Sequence, residues 1–194
     1  MAAIGEGADA LGFNFYSPSP RFIDPESART IISRLPPFVV TVGLFVNVPD
    51  PREVEKIARA ASVAALQLHG DETPEYCAEL SGWALIKALH VGTGSIPEGF
   101  ERYPVSAFLL DTLDENLFGG TGKPFDWGLA AQIHRVRPVI LAGGLKPQNV
   151  AQAIRTVRPY AVDVCSGVER SPGRKDPAKL HAFMREVSHA CKDL

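Results

Sequence analysis

The sequence predicts an α/β fold built from repeated strand and helix units. Short apolar runs rich in Val, Ile, Leu and Phe recur along the 194 residues, and helix-like segments separate them. Several of those segments begin with a capping residue followed by proline. The pattern continues to both ends of the chain without a linker or a change in composition, so we expect a single domain over residues 1–194.

Seven strands are expected, and each is a short unbroken apolar run of the kind that a parallel sheet buries on both faces. The runs are Ala10–Phe15, Val39–Val46, Ala65–His69, Ala84–His90, Ala107–Thr112, Pro138–Gly143 and Ala161–Cys165.

Helices are expected between these strands and after the last one. Four of them should start sharply, because Asp24, Asp50, Thr73 and Asp176 each place a capping oxygen before a proline. The predicted segments are Pro25–Arg34, Arg52–Ala61, Pro74–Leu80, a poorly helical stretch over Pro97–Tyr103, Gly128–Arg135, Pro147–Val157 and Pro177–Cys191.

The repeat pattern alone fits two architectures, an open doubly wound sheet and a closed barrel of eight units. In both, parallel strands point their carboxyl ends toward one edge of the sheet. The polar and glycine residues that follow the strands should therefore converge there.

The composition excludes several classes of function. A net charge of −2 with interspersed acidic and basic residues leaves no basic stripe, so nucleic acid is not expected as a partner. No apolar run approaches the roughly 20 residues that span a bilayer, and no secretory signal is visible. Three widely spaced cysteines form neither a disulfide framework nor a paired metal site, which indicates a reducing, cytoplasmic location.

Asp111 is the first candidate for chemistry. It ends the buried run over Ala107–Thr112, where barrel enzymes place an acid. The alternative is a carboxylate that caps the next turn. The glycine-rich loop Gly119–Lys123 follows, and it lacks the spacing of a nucleotide-binding P-loop, so we expect it to act as a lid.

Two further polar residues follow earlier strands. Arg21 lies at the end of the segment Ser17–Arg21, which two prolines make stiff. Its guanidinium could bind a carboxylate or phosphate through two parallel hydrogen bonds. The alternative is a surface arginine in a turn. His69 ends another strand and is expected in a pocket wall rather than in catalysis.

The last two strands each run into glycine. One runs into Gly143 and Gly144, and the other runs into Ser166 and Gly167. Glycine lets the backbone approach an anion closely, and barrels often bind phosphate on these two loops. The pair of loops predicts a phosphate site.

Taken in order, these motifs resemble the phosphoribosylanthranilate isomerase family of tryptophan biosynthesis, over essentially the whole chain. The resemblance implies a (βα)8 barrel that uses no metal or organic cofactor and isomerises N-(5-phosphoribosyl)anthranilate, a phosphorylated small molecule, to the corresponding 1-deoxyribulose phosphate. Both a monomer and a homodimer are compatible with the sequence. The matching motifs are Gly7–Phe13, Ser19–Ile23, Gly43–Asn47, Leu66–Gly70, Leu110–Thr112, Gly119–Lys123 and Asp163–Glu169.

The resemblance also implies roles for these residues. Asp111 would be the general acid that opens the furanose ring. An ordinary aspartic acid has a pKa of about 3.9 and is ionised at pH 7, so this role requires surroundings that favour the protonated form. Arg21 would hold the anthranilate carboxylate, and His69 and Asp163 would line the pocket. Gly143, Gly144, Ser166 and Gly167 would surround the sugar phosphate.

One departure accompanies the match. Family members open with a strand similar to Lys-Ile-Cys-Gly, whose cysteine is the general base, and this sequence begins at Met1 with what resembles the following helix. We therefore expect a barrel lacking its first strand, seven strands in all, and impaired activity of this chain. A start site inside a longer reading frame is the favoured explanation, and an inactive or ligand-binding phosphoribosyl barrel is the alternative.

Overall fold

The computed structural model describes residues 1–90, 98–111 and 133–192. The chain divides into two compact units. The first comprises Ala3–Ala88 and Glu101–Ser106, with Met1, and the second comprises Leu89–Phe100 and Ala107–Leu194, with Ala2.

The first unit contains parallel strands in the order of the chain. β1 (Ala10–Asn14) pairs with β2 (Val40–Phe45), β2 pairs with β3 (Ala65–Leu68), and β3 pairs with β4 (Ala84–His90), whose last two residues belong to the second unit. Phe45 of β2 lies opposite Leu68 of β3, and both side chains are buried. The carboxyl ends of β2 and β3 are therefore level with one another.

The helices that precede or connect these strands are α1 (Ala2–Gly5), α2 (Pro25–Ile32), α3 (Pro51–Ala61) and α4 (Pro74–Glu79). Of these, α2, α3 and α4 begin at the expected caps. The side chains of Asp24, Asp50 and Thr73 accept hydrogen bonds from backbone N–H groups of their own helices, at 2.9, 2.9 and 3.3 Å. Each cap satisfies a donor that the first helical turn leaves unpaired.

The second unit repeats the arrangement. β5 (Ala107–Asp111) pairs in parallel with β6 (Val139–Ala142), which pairs with the two-residue β7 (Ala161–Val162). Helix α5 (Val150–Val157) packs against α6 (Pro177–Lys192). The unit also holds an antiparallel hairpin, β8 (Glu169–Ser171) with β9 (Arg174–Lys175), preceded by a short 3-10 helix over Ser166–Val168. A second 3-10 helix spans Phe100–Arg102, of which Phe100 belongs to this unit and the other two residues to the first.

Each unit has its own apolar core. In the first, Val54 of α3 is buried together with Leu66 and Leu68 of β3. In the second, Phe108 of β5 meets Phe100 edge-on, with ring centroids 5.8 Å apart. Such edge-to-face pairs are favoured by the charge distribution of aromatic rings.

The predicted order of elements is confirmed within the described residues. All seven strands lie where the apolar runs placed them, although the last is shorter than expected. The helix expected from Pro147 begins only at Val150, because Asn149 turns its side chain back toward the preceding loop. The β8–β9 hairpin was not predicted, because its mostly polar, exposed residues lack an apolar pattern.

Four expectations fall wholly or partly beyond this range. The loop Gly119–Lys123, Thr112 and Pro97 of the expected stretch Pro97–Tyr103 lie outside the described residues. Of the helix expected over Gly128–Arg135 only residues 133–135 are described, with 133 and 134 helical. Within the described part of the chain, no helix combines the length and apolar character needed to cross a membrane.

Candidate functional site

Asp111 ends β5, as the sequence predicted. The three residues before it, Phe108–Leu110, are fully buried, and Asp111 itself is half-buried where the strand meets its loop. In the parallel register Asp111 lies opposite Ala142, the residue immediately before Gly143. The carboxyl group and the first glycine loop therefore share one edge of the sheet.

His90 lies beside this carboxyl group. Nitrogen and oxygen atoms of the two side chains come within 4.8 Å of one another. From the sequence, His90 was expected only as the end of a strand. Its position at a strand terminus was the signal that could have marked it as a site residue.

The loop after β6 needs its glycines. Gly143 and Gly144 have φ angles of 79° and 58°, in the left-handed region that residues with a Cβ avoid. This conformation lets two successive peptide planes turn at the carboxyl end of β6. Backbone exposed in this way is suited to approach an anion.

The loop after β7 lies directly against the loop after β6. The Asp163 N–H donates to the Leu141 carbonyl at 2.8 Å and extends the pairing by one residue. Ser166 and Gly167 then form a short 3-10 helix. A Cβ on Gly167 would clash with the Leu145 carbonyl oxygen, so only glycine allows this approach. The structure thus brings Asp111, both glycine loops and Asp163 to one edge.

The hairpin supports the second loop from behind. The buried carboxylate of Glu169 accepts a hydrogen bond from Gly173 N–H at 3.2 Å and pairs with Lys175 at 3.5 Å. The Lys175 ammonium also donates to the Cys165 carbonyl at 3.0 Å. These contacts fix the chain on both sides of Ser166–Val168.

Arg21 lies in the first unit, after β1. The segment that carries it folds back onto the strand end: Ser19 Oγ accepts from the side chain of Asn14 and from Arg21 N–H, both at 3.2 Å, and Ile23 N–H donates to Asn14 O at 2.9 Å. The half-buried Arg21 side chain therefore starts from a fixed backbone.

His69 follows β3 in the same unit. Its Nδ1 lies 2.9 Å from the side-chain nitrogen of Gln67. The ring is thus held in place by a hydrogen bond to a buried neighbour.

A buried ion pair anchors the backbone around His69. The Lys87 ammonium, 3.0 Å from Glu72 Oε2, donates to the Gly70 carbonyl at 2.6 Å and to the Leu68 carbonyl at 3.4 Å. Both side chains are at least 97% buried. Lys87 therefore holds the two carbonyls that flank His69. This pair was not predicted, because Lys87 lies inside an apolar run and Glu72 in a polar turn.

Glu72 also joins the loops after β2 and β3. Its Oε1 accepts from Asn47 N–H at 2.8 Å and its Oε2 from Gly70 N–H at 3.0 Å. A Cβ on Gly70 would clash with the Asn47 side chain, so glycine is required where the two loops meet.

Two groups of α4 have raised pKa values. Burial raises the pKa of the Cys77 thiol from 9.0 to about 11. Burial, together with the nearby carboxylate of Glu72, raises the pKa of Tyr76 from 10.0 to about 12. The Tyr76 hydroxyl donates to the Val48 carbonyl at 2.7 Å. Both groups are structural rather than reactive at neutral pH.

The fold and these residues define a class, the enzymes made of successive βα units that collect polar residues at the carboxyl ends of parallel strands. A model of the family described as "N-(5'phosphoribosyl)anthranilate (PRA) isomerase" matches residues 1–186. The N-(5'-phosphoribosyl)anthranilate isomerase of Trichlorobacter lovleyi is 49% identical over 191 residues, which cover 98% of this chain and 92% of the relative.

Solved structures agree with this match. Phosphoribosyl anthranilate isomerase from Thermotoga maritima superposes with a TM-score of 0.86 at 42% identity, covering 97% of this chain and 92% of that one. A phosphoribosyl anthranilate isomerase in complex with reduced 1-(o-carboxyphenylamino)-1-deoxyribulose 5-phosphate gives a TM-score of 0.85 at 40% identity, covering 97% and 91%.

The chain belongs to the phosphoribosylanthranilate isomerase family. The predicted fold class, an α/β barrel of the (βα)8 type, with seven parallel strands among the described residues, is confirmed by these similarities. So is the prediction of an isomerase of tryptophan biosynthesis, and the open doubly wound alternative is set aside.

Proposed function

We propose that this chain converts N-(5'-phosphoribosyl)anthranilate into the corresponding 1-deoxyribulose phosphate. The observation that carries the proposal is the register of β5 and β6, which sets Asp111 beside the Gly143–Gly144 loop. An acid and an anion-binding loop at one strand edge suit a substrate whose reacting ring carries a phosphate.

In this proposal Asp111 is the general acid. Its carboxyl proton goes to the furanose ring oxygen, the bond between that oxygen and C1 breaks, and the nitrogen lone pair forms an iminium bond to C1. Loss of the C2 proton to a base then gives an enolamine. The base returns this proton to C1, and the C2 hydroxyl of the enolamine gives its proton to the Asp111 carboxylate as the C2 carbonyl forms. The isomerisation therefore involves no net oxidation, and the acid and the base return to their starting states. General acid or base catalysis of such steps typically contributes 10²–10⁴-fold.

The remaining residues bind the two ends of the substrate. Gly143, Gly144, Ser166 and Gly167 offer backbone groups to the phosphate, supported by the positive φ angles and the close contact of the two loops. Arg21 is proposed to bind the anthranilate carboxylate through its guanidinium fork. His69 and Asp163 are proposed to line the pocket.

The family's general base belongs to a Lys-Ile-Cys-Gly strand that has no match in these 194 residues. We therefore propose that a polypeptide of these residues alone isomerises slowly, and that one also carrying such a strand isomerises about 10²-fold faster or more. No cofactor is invoked, and we propose a cytoplasmic enzyme that acts as a monomer or homodimer.

A direct assay tests the function. Fluorescence of the anthranilate group is followed while each polypeptide is incubated with N-(5'-phosphoribosyl)anthranilate, and binding of reduced 1-(o-carboxyphenylamino)-1-deoxyribulose 5-phosphate is measured by calorimetry. Turnover by the extended polypeptide supports the proposal. Tight binding by both polypeptides with turnover by neither would instead favour a ligand-binding barrel.

A further inference from the structure

The side chain of Asn149 has unusual hydrogen-bond partners for a residue at the start of a helix. It precedes α5 and is buried, with 5% of its surface exposed. An asparagine in this position commonly accepts a hydrogen bond from an N–H of its own helix. Here its Oδ1 accepts instead from Lys146 N–H at 2.8 Å, and its Nδ2 donates to the Gly144 carbonyl at 3.0 Å.

These two bonds fix two successive peptide planes. In a trans peptide the C=O and the following N–H point in opposite directions. Holding the Gly144 carbonyl therefore turns the Leu145 N–H to the side away from Asn149. Holding the Lys146 N–H likewise turns the Leu145 carbonyl away from Asn149.

The turned Leu145 carbonyl is the atom against which Gly167 packs. One buried carboxamide thus sets both the direction of a backbone donor in the first glycine loop and the surface on which the second loop rests. The caps of α2, α3 and α4 do neither, because their side chains bond forward into their own helices.

We infer that Asn149 is a positioning residue for phosphate recognition. It holds the Gly143–Lys146 backbone in the conformation that presents N–H groups to the substrate phosphate, without touching the substrate itself. The inference rests on the proposed function, since it assigns Asn149 to the phosphate end of that site. Fixed donors bind an anion more tightly than donors that must be ordered on binding.

The experiment measures how much the phosphate group contributes to affinity. Calorimetry compares reduced 1-(o-carboxyphenylamino)-1-deoxyribulose 5-phosphate with its dephosphorylated counterpart, on the unaltered chain and on Asn149→Ala. Asn149→Ala should weaken the phosphorylated compound about tenfold and leave the dephosphorylated one unchanged, because a two-point hydrogen-bonded contact to the loop is lost.

Asn149→Ser is the second variant, and it tests the positioning role of Asn149 if Asn149→Ala does not fold. Serine caps a helix about as well as asparagine, but its short side chain cannot reach both Gly144 and Lys146. Asp50→Ala is the matched control, since Asp50 also precedes a helix and bonds forward to Arg52 N–H. It should lower stability and leave the preference for the phosphorylated compound intact.

Two results would overturn the inference. One is a variant that loses affinity for both compounds equally, and the other is a variant that binds both as the unaltered chain does. If the unaltered chain itself shows no preference for the phosphorylated compound, the proposed phosphate site is wrong, and so is the positioning role of Asn149.

Discussion

Asp111 is the residue on which the proposed chemistry depends most directly. Asp111→Asn keeps the shape of the side chain and removes its ability to deliver a proton. In a polypeptide carrying the family's opening strand, kcat should fall by about 10²-fold or more while the affinity for the reduced product analogue stays within a few-fold. Steady-state kinetics and calorimetry measure the two quantities. An unchanged kcat would remove Asp111 from the acid role.

Arg21 is proposed to bind rather than to react. Arg21→Ala should raise KM by roughly tenfold to a hundredfold, because a charged hydrogen-bonded contact is worth about 1.5–3 kcal/mol, and change kcat little. Arg21→Lys should recover only part of the loss, since an ammonium cannot form the paired bonds of a guanidinium. A variant with reduced kcat and normal KM would contradict the carboxylate assignment.

Site residues at a strand end or in a glycine pair were predictable from the sequence, whereas the residues whose hydrogen bonds position the backbone around them were not. Asp111 and Gly143 each come directly after an apolar run, and the end of such a run indicates the end of a strand in the sequence. Lys87 and Asn149 carry no such mark, because their importance lies in carbonyl and N–H partners that only three-dimensional structure reveals.

At the scale of elements, helix starts were predictable because their chemistry is local. Asp24, Asp50 and Thr73 each bond to an N–H two or three residues ahead, so the capping residue and proline suffice to place them. The start of α5 was misplaced for the opposite reason. Asn149 bonds to residues behind it, and the helix begins three residues later than Pro147 suggests.

The Lys87–Glu72 pair links three elements of the first unit, β3, β4 and the loop after β2. Replacing one partner leaves the other charge buried and uncompensated, so Lys87→Met should lower the free energy of unfolding by about 3–5 kcal/mol. Chemical denaturation measures this change. The double variant Lys87→Met with Glu72→Gln should lose less than the sum of the single losses.

The control for this prediction is an exposed pair. Arg185→Met disrupts a contact with Glu186 in which the side chains are 58% and 30% exposed, and should cost less than about 1 kcal/mol. Equal losses for Lys87→Met and Arg185→Met would show that burial adds nothing to the importance of the ion pair.

For the whole molecule, the order of elements was predictable and the supporting contacts were not. The alternation of apolar runs with capped helices is repeated so often that a misjudged boundary, such as that of β7, does not alter the fold class. Pattern alone could not choose between an open sheet and a barrel, because both use the same βα unit. The similarity of the chain to solved phosphoribosyl anthranilate isomerases identifies the barrel.

Stability of the whole molecule should decline at alkaline pH. Burial raises the pKa of Cys77 from 9.0 to about 11. Between these values the unfolded chain loses the thiol proton while the folded chain keeps it. The folded state then binds more protons, so the free energy of unfolding decreases as pH rises through this range. Tyr76, with its pKa raised to about 12, extends the decline upward.

The contribution of Cys77 can be isolated with Cys77→Ala. The variant loses packing at every pH, which gives a constant offset in the free energy of unfolding, and it lacks the titrating thiol. Urea melts at pH 8, 9, 10 and 11 should therefore show the difference between the unaltered chain and the variant shrinking above pH 9. Other groups that titrate in this range cancel, because both proteins carry them. A difference that stays constant from pH 8 to 11 would mean that the Cys77 thiol ionises as readily in the folded chain as in the unfolded one.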